Sequence, residues 1–177
     1  MKRLSGQKTK EKAVEHLLLT NYNQYYRLAY SYVHNENDAG DIVQNAAYKA
    51  IKNSGSLREE NYAATWLYRI VINEIFTFCR RQKNEPLDAA KEACAEDSYE
   101  DLDLKRALES LSPKDKMIVE LKYFEDMKLT DIADILEENI NTVKSRLYRS
   151  LRKLRILIEE ECMYTNNQNS NKEAPNV

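Results

Sequence analysis

Two apolar stripes at helical spacing, parted by three polar residues, leave the stretch Met127–Arg155 few ways to fold. In the first stripe Ile132, Ala133 and Leu136 recur on one helix face, and the run Glu137-Glu138-Asn139 then breaks the pattern. Asn139 suits an N-cap, because its side-chain oxygen can accept from an exposed N–H of the first turn. The second stripe, Val143, Leu147, Leu151 and Leu154, again steps by three or four. Two short helices joined by such a turn form a helix-turn-helix. From Asn139 to Arg155 there are six Lys or Arg (144, 146, 149, 152, 153 and 155) and no acid. Lys144, Ser145, Tyr148, Arg149 and Arg152 share the face that the apolar stripe leaves free. Such a helix suits a major groove, where Arg and Lys reach guanine edges and phosphates. A solvated basic helix packed in an ordinary bundle would show the same stretch, so both readings stand at this point.

The rest of the chain agrees with helices. Only three Gly and three Pro occur in 177 residues, which suits neither a sandwich nor a barrel. The length fits one domain or two small ones. With a net charge of −2, any nucleic-acid site must come from local segregation of charge. No run approaches the roughly 18 apolar residues of a membrane span, and the polar start MKRLSGQKTKEK is no signal peptide, so a cytoplasmic location is expected. Cys79, Cys94 and Cys162 are odd in number and widely spaced. They read as idle or buried thiols rather than as a disulfide framework or a zinc site.

In the first half, residues 1–12 read as a frayed basic start. From about Lys12 to Val33 one helix is expected, with Leu18, Tyr22, Tyr25, Ala29 and Tyr32 on one face. Its tyrosines read as core and rim packing, and His16 and His34 as surface residues. Asn37 or Asp38 is expected to cap the next helix, whose buried stripe is Ile42, Val43, Ala46, Ala47, Ala50 and Ile51. Asp41, Gln44, Asn45 and Tyr48 fall on its other face, exposed and without an internal role. The run Asn53–Asn61 is a loop by composition. A long helix, about Tyr62 to Arg81, follows with Trp66, Leu67, Ile70, Val71, Ile75 and Phe78 as its apolar side. Arg69, Asn73, Thr77 and Arg80 make a polar stripe along it.

From Asn84 to Asp103 eight acids stand against one base, Lys91, and Pro86 lies near the start, so a flexible acidic linker is expected. Leu104, Ala107, Leu108 and Leu111 resume helical spacing. Ser112-Pro113-Lys114-Asp115 then supplies an N-cap, a Pro at the first helical position and an acid at the third. That helix holds Ile118 and Leu121 and ends near Phe124, and the helix-turn-helix follows.

The order of these elements and several strings within them resemble a bacterial RNA polymerase sigma factor of the sigma-70 family, extracytoplasmic-function (ECF) group. Asp38-Ala39-Gly40-Asp41-Ile42-Val43-Gln44 resembles the family's region 2.2. Trp66-Leu67-Tyr68-Arg69-Ile70-Val71-Ile72-Asn73 resembles regions 2.3 and 2.4. Leu111-Ser112-Pro113 and Thr142-Val143-Lys144-Ser145-Arg146-Leu147-Tyr148-Arg149 resemble region 4. The likeness covers about Asn21 to Leu157. Asp126 and Lys128 stand where the family usually has a Gly and a capping Ser, and Asn141 where it has a Gly at the start of the recognition helix. Asp tolerates the left-handed conformation of such a turn. Lys128 lacks a side-chain acceptor, so the helix is expected to start later, at Thr130.

The resemblance implies an all-α protein: a region 2 helical bundle at 1–83, an acidic linker at 84–103, a region 4 helix-turn-helix domain at 104–162 and a disordered tail at 163–177. It implies that Asp38, Asp41, Gln44, Asn45 and Tyr48 dock on core RNA polymerase. It places −10 promoter recognition on Ser56, Tyr62, Trp66, Arg69, Asn73 and Arg80, with Trp66 equally open to a core role. Recognition at −35 falls to Thr142, Lys144, Ser145, Tyr148, Arg149 and Arg152. Promoter DNA, core polymerase and an anti-sigma factor are the implied partners, and the last would allow the chain to be held at a membrane. No cofactor or small-molecule substrate is implied. A stand-alone helix-turn-helix regulator is the alternative; it accounts for 104–155 but leaves the Asp41–Gln44 face and the Arg69–Asn73 stripe unused. An enzyme is a weaker one, since no Gly-rich phosphate loop, metal-like carboxylate cluster or nucleophile–base arrangement is legible.

Overall fold

A computed structural model describes residues 2–57, 59–84 and 99–170, and the elements within them are α1 (Lys2–Thr20), α2 (Tyr22–Val33), α3 (Glu36–Lys52), α4 (Ala63–Asn84), α5 (Tyr99–Glu109), α6 (Pro113–Tyr123), α7 (Leu129–Leu136) and α8 (Ile140–Ser170). Short 3-10 turns, Ser54–Ser56 and Glu60–Tyr62, lie between α3 and α4, with no strand among the described residues. The all-α expectation holds. The chain divides into two compact units, Met1–Ala93 with Asp134–Glu137, and Cys94–Ala133 with Glu138–Val177.

In the first unit α3 packs against α2 and α4, and α1 lies on the first 3-10 turn and on α4. The expected stripe on α3 is buried at Ile42, Val43, Ala46 and Ala50, whereas Ala47 and Ile51 sit at its margin. Leu67, Val71 and Ile75 are buried on α4, joined by Tyr68 and Ile72, which the sequence reading left out. Tyr68 meets the fully buried Tyr25 of α2 edge-to-face, with ring centroids 5.0 Å apart. Such a pair adds about 0.5–1.5 kcal/mol beyond the area it buries.

Three expectations for this unit are corrected. The single helix from Lys12 to Val33 is two helices, α1 and α2, broken at Asn21, and α1 begins at Lys2 rather than after a frayed start. The break lets Val14 and Leu18 be buried from one segment and Tyr25, Leu28 and Ala29 from the next. The cap of α3 is Asn35, not Asn37 or Asp38: its side chain accepts from the Asp38 N–H at 3.0 Å.

In the second unit α5 and α6 pack on α8. Ser112 caps α6 as expected, its Oγ accepting from Asp115 N–H at 3.2 Å, with Pro113 at the first helical position. Met117, Ile118, Val119 and Leu121 are all buried, so α6 is enclosed on more than one side. Val143, Leu147 and Leu154 of α8 complete the core, while Leu151 is only partly covered. Tyr99–Asp103, expected in the linker, open α5, and the tail expected from residue 163 is helical through Ser170. The rest of the acidic linker, 85–98, and of the tail, 171–177, lie outside the described residues.

Candidate nucleic-acid interface

The turn of the helix-turn-helix is built from backbone bonds. Asp126 adopts φ 49, the left-handed conformation expected of it, and Met127 N–H donates to Leu121 O at 3.0 Å. α7 then starts at Leu129, not Thr130, because the Lys128 carbonyl accepts the first helical bond from Ile132 N–H at 3.0 Å. Lys128 therefore stands at the cap through its backbone alone. At the other end Glu137 is also left-handed, φ 54, and two bonds close the helix: Glu138 N–H to Ala133 O at 3.0 Å and Glu137 N–H to Asp134 O at 3.4 Å. This is the Schellman pattern, here without its customary Gly. Asn139 caps α8 as expected, Oδ1 accepting from Asn141 N–H at 2.8 Å. Asn141 itself is exposed.

Of the six bases of the recognition helix, Arg146 is half-buried and the other five are exposed. Arg146 faces inward, with Nη1 3.2 Å from Asp115 and Nε 3.2 Å from Glu138. Lys114 also reaches Glu138, at 2.9 Å. These charges tie the start of α6, the turn and α8 together, which gives Glu138 its place in the motif. Lys153 donates to Ser110 O at 2.6 Å, and Arg155 bonds Glu159 one turn on at 2.7 Å. That hydrogen bond, followed by the charge of Glu159, raises the Arg155 pKa further. Lys144, Arg149 and Arg152 remain exposed, Arg149 with 70% of its side chain open and only a 3.9 Å approach to Asp115. Thr142, Ser145 and Tyr148 are exposed on the same turns, so all six residues expected at −35 stand on an open surface. Ser145 Oγ bonds back to Asn141 O at 2.8 Å, which orients the hydroxyl along the helix.

In the first unit the stripe expected at −10 runs along α4. Asn73 and Arg80 are exposed, and Arg69 and Thr77 are partly so. Thr77 Oγ1 bonds to Asn73 O at 2.7 Å, leaving the Asn73 amide group clear of that bond. Ser56 and Tyr62 are exposed on the two 3-10 turns that precede α4. Trp66 is half-buried, between the two roles expected of it. The expected loop is thus structured in short turns: Ser56 N–H and Oγ both bond to Asn53 O, at 2.9 and 2.7 Å, and Ser54 is buried. Arg58 lies outside the described residues.

On α3, Asp41, Gln44, Asn45 and Tyr48 are exposed at positions one turn apart, opposite the buried stripe. Asp38 is half-buried in the first turn, where its N–H takes the Asn35 cap. Lys52 lies 5.7 Å above the Tyr48 ring, and Lys49 pairs with Glu74 of α4. Sequence reasoning missed this pairing and the inward Arg146 of α8, because a charge's partner on another helix leaves no local signature.

Comparison with known proteins covers both units. The family description "Sigma-70 region 2" matches residues 17–85, and "Sigma-70, region 4" matches residues 101–154. The chain is 41% identical over 150 residues to RNA polymerase sigma factor SigV of Bacillus subtilis (strain 168), a match spanning 81% of this chain and 90% of that protein. It is 30% identical over 155 residues to ECF RNA polymerase sigma factor SigW of the same strain, spanning 75% of this chain and 82% of that one. In fold it resembles the sigma factor RpoE solved in complex with the anti-sigma factor NepR from Bartonella quintana, with a TM-score of 0.67, 24% identity and coverage of 82% and 96% of the two chains.

Proposed function

The chain belongs to the sigma-70 family, in its ECF group, and on that premise we propose how its residues divide the work of directing promoter-specific transcription. Asp38, Asp41, Gln44, Asn45 and Tyr48 dock α3 on core RNA polymerase. The −35 duplex is held by α8: Lys144, Arg149 and Arg152 bind phosphates and base edges, and Thr142, Ser145 and Tyr148 make the close contacts. At −10, Ser56, Tyr62, Trp66, Arg69, Asn73 and Arg80 hold unpaired bases. An aromatic ring offers a stacking face, Asn offers a paired donor and acceptor, and Arg a base edge or phosphate.

The observation that carries this reading is the split among charges on α8. Arg146 is turned inward onto Asp115 and Glu138, whereas Lys144, Arg149 and Arg152 are presented outward together with Tyr148. A helix that was merely solvated would need no such division. A stand-alone regulator would share it, but would leave the open faces of α3 and α4 without use.

The protein does no bond chemistry in this account. Strand opening comes from binding the unpaired form better than the duplex, a shift of population. An anti-sigma factor is the further partner, in keeping with the complex in which the RpoE relative was solved. Among the described residues no helix is long and apolar enough to cross a membrane, and we assign the chain to the cytoplasm, with any membrane attachment supplied by that partner. Transcription in vitro with core polymerase on a promoter library tests the whole reading. The expected result is initiation from a subset sharing −35 and −10 elements. Failure to bind core polymerase would leave only a DNA-binding regulator.

A further inference from the structure

Helix α1 starts well ahead of the region 2 match, which begins at residue 17, yet it packs on the turn Ser54–Ser56. Val14 and Leu18 of α1, and Leu57 directly after the turn, are buried. A polar link joins the helix to the same place: Lys10 Nζ donates to the Leu57 carbonyl at 2.5 Å from a half-buried position. The turn also packs against α3. Its own bonds are Ser56 to Asn53 and Leu57 N–H to Ser54 O at 3.2 Å, in the 3-10 geometry that is poorer than that of an α-helix.

We propose that Lys10 is a positioning residue for −10 recognition: it clamps the backbone at Leu57 and so holds Ser56 ready for an unpaired base. The inference rests on the −10 reading above and adds to it a residue outside the matched region. An ammonium donating to a carbonyl is a charge-assisted bond, roughly twice as strong as a neutral one. The buried Leu57 side chain anchors the turn from the core side while Lys10 holds its carbonyl. Between them Ser54 is buried and Ser56 is turned outward. Without the clamp the turn spreads over several arrangements, and affinity for the unpaired strand falls by the fraction still competent. Lys10 itself touches no DNA in this account.

The test uses the full chain assembled with core polymerase and compares Lys10→Met, which keeps the stem and removes the donor, with Lys10→Arg, which keeps a donor. Permanganate reactivity in the −10 region of a duplex promoter reports opening, and gel shift reports closed-complex binding. Lys10→Met is expected to reduce opening about tenfold with closed-complex binding unchanged, and Lys10→Arg to restore most of it. Hydrogen exchange at the Leu57 amide should speed up in Lys10→Met and return toward the parent in Lys10→Arg. Opening equal to the parent in Lys10→Met overturns the proposal. So does equal loss in both variants with loss of helix content, which would mark Lys10 as part of the fold alone. Ser56→Ala and Asn73→Ala run in parallel: if neither impairs opening, the −10 reading itself fails, and if they do while Lys10→Met does not, only the clamp fails.

Discussion

Asp126 holds the turn before α7 in the left-handed region, at φ 49, which Asp tolerates better than most residues. Glu137 adopts the same conformation at φ 54, and nothing in a Glu side chain announces it. That conformation is imposed by the Schellman closure, which depends on where α7 must stop. Asp126→Gly should raise stability, by up to about 1 kcal/mol, since the Cβ cost of the left-handed region disappears; urea unfolding measures it. At Gly40, in α3, an added Cβ would meet nothing within 4 Å, so Gly40→Ala should stabilise by about 0.4–1 kcal/mol in the same assay. On the DNA side, Arg149→Ala should cost about 1–3 kcal/mol and relax preference at one −35 position if Arg149 pairs with a base edge. Arg152→Ala should instead weaken all sequences alike and lower the salt slope by about 1, the mark of a phosphate contact. Binding titrations over a sequence panel at several salt concentrations separate the two.

For whole elements, local chemistry was legible and tertiary choice was not. The Ser112 cap, Pro113 and Asp115 fixed the start of α6, and Asn139 that of α8, because a cap is satisfied within three residues of itself. The break at Asn21 was not visible, because Val14, Leu18, Tyr25 and Leu28 would also line one unbroken stripe. The same reason hid the Asn35 cap, since Asn37 and Asp38 are equally good cap residues by type. Along α4 the apolar side was read too narrowly, because Tyr68 and Ile72 are buried by neighbouring helices rather than by a single face. The exposed face of α3 was legible from spacing alone. Replacing Asp41 and Gln44 by Ala should weaken binding to core polymerase with helical content intact, as measured by co-purification beside circular dichroism; unchanged affinity would remove α3 from the docking surface.

At the scale of the molecule, two helical units carry matched regions in the family's order, and each presents a polar face that its own core does not use. A helix-turn-helix alone would account for the second unit, so the claim that separates a sigma factor from such a protein lies on α4. There Asn73 is exposed beside the partly exposed Arg69, one turn apart on the stripe that follows the Ser56 turn. Sequence placed these residues on one face, but their use depends on a DNA strand that no spacing can reveal. The most direct measurement is permanganate footprinting of the −10 region with Asn73→Ala and core polymerase, on duplex promoter and on promoter pre-melted at −10. The account predicts nearly unchanged closed-complex binding, reduced opening of the duplex, and partial recovery on the pre-melted template, where the cost of strand separation is already met. Opening of the duplex equal to that of the parent would contradict it and leave Asn73 a surface residue.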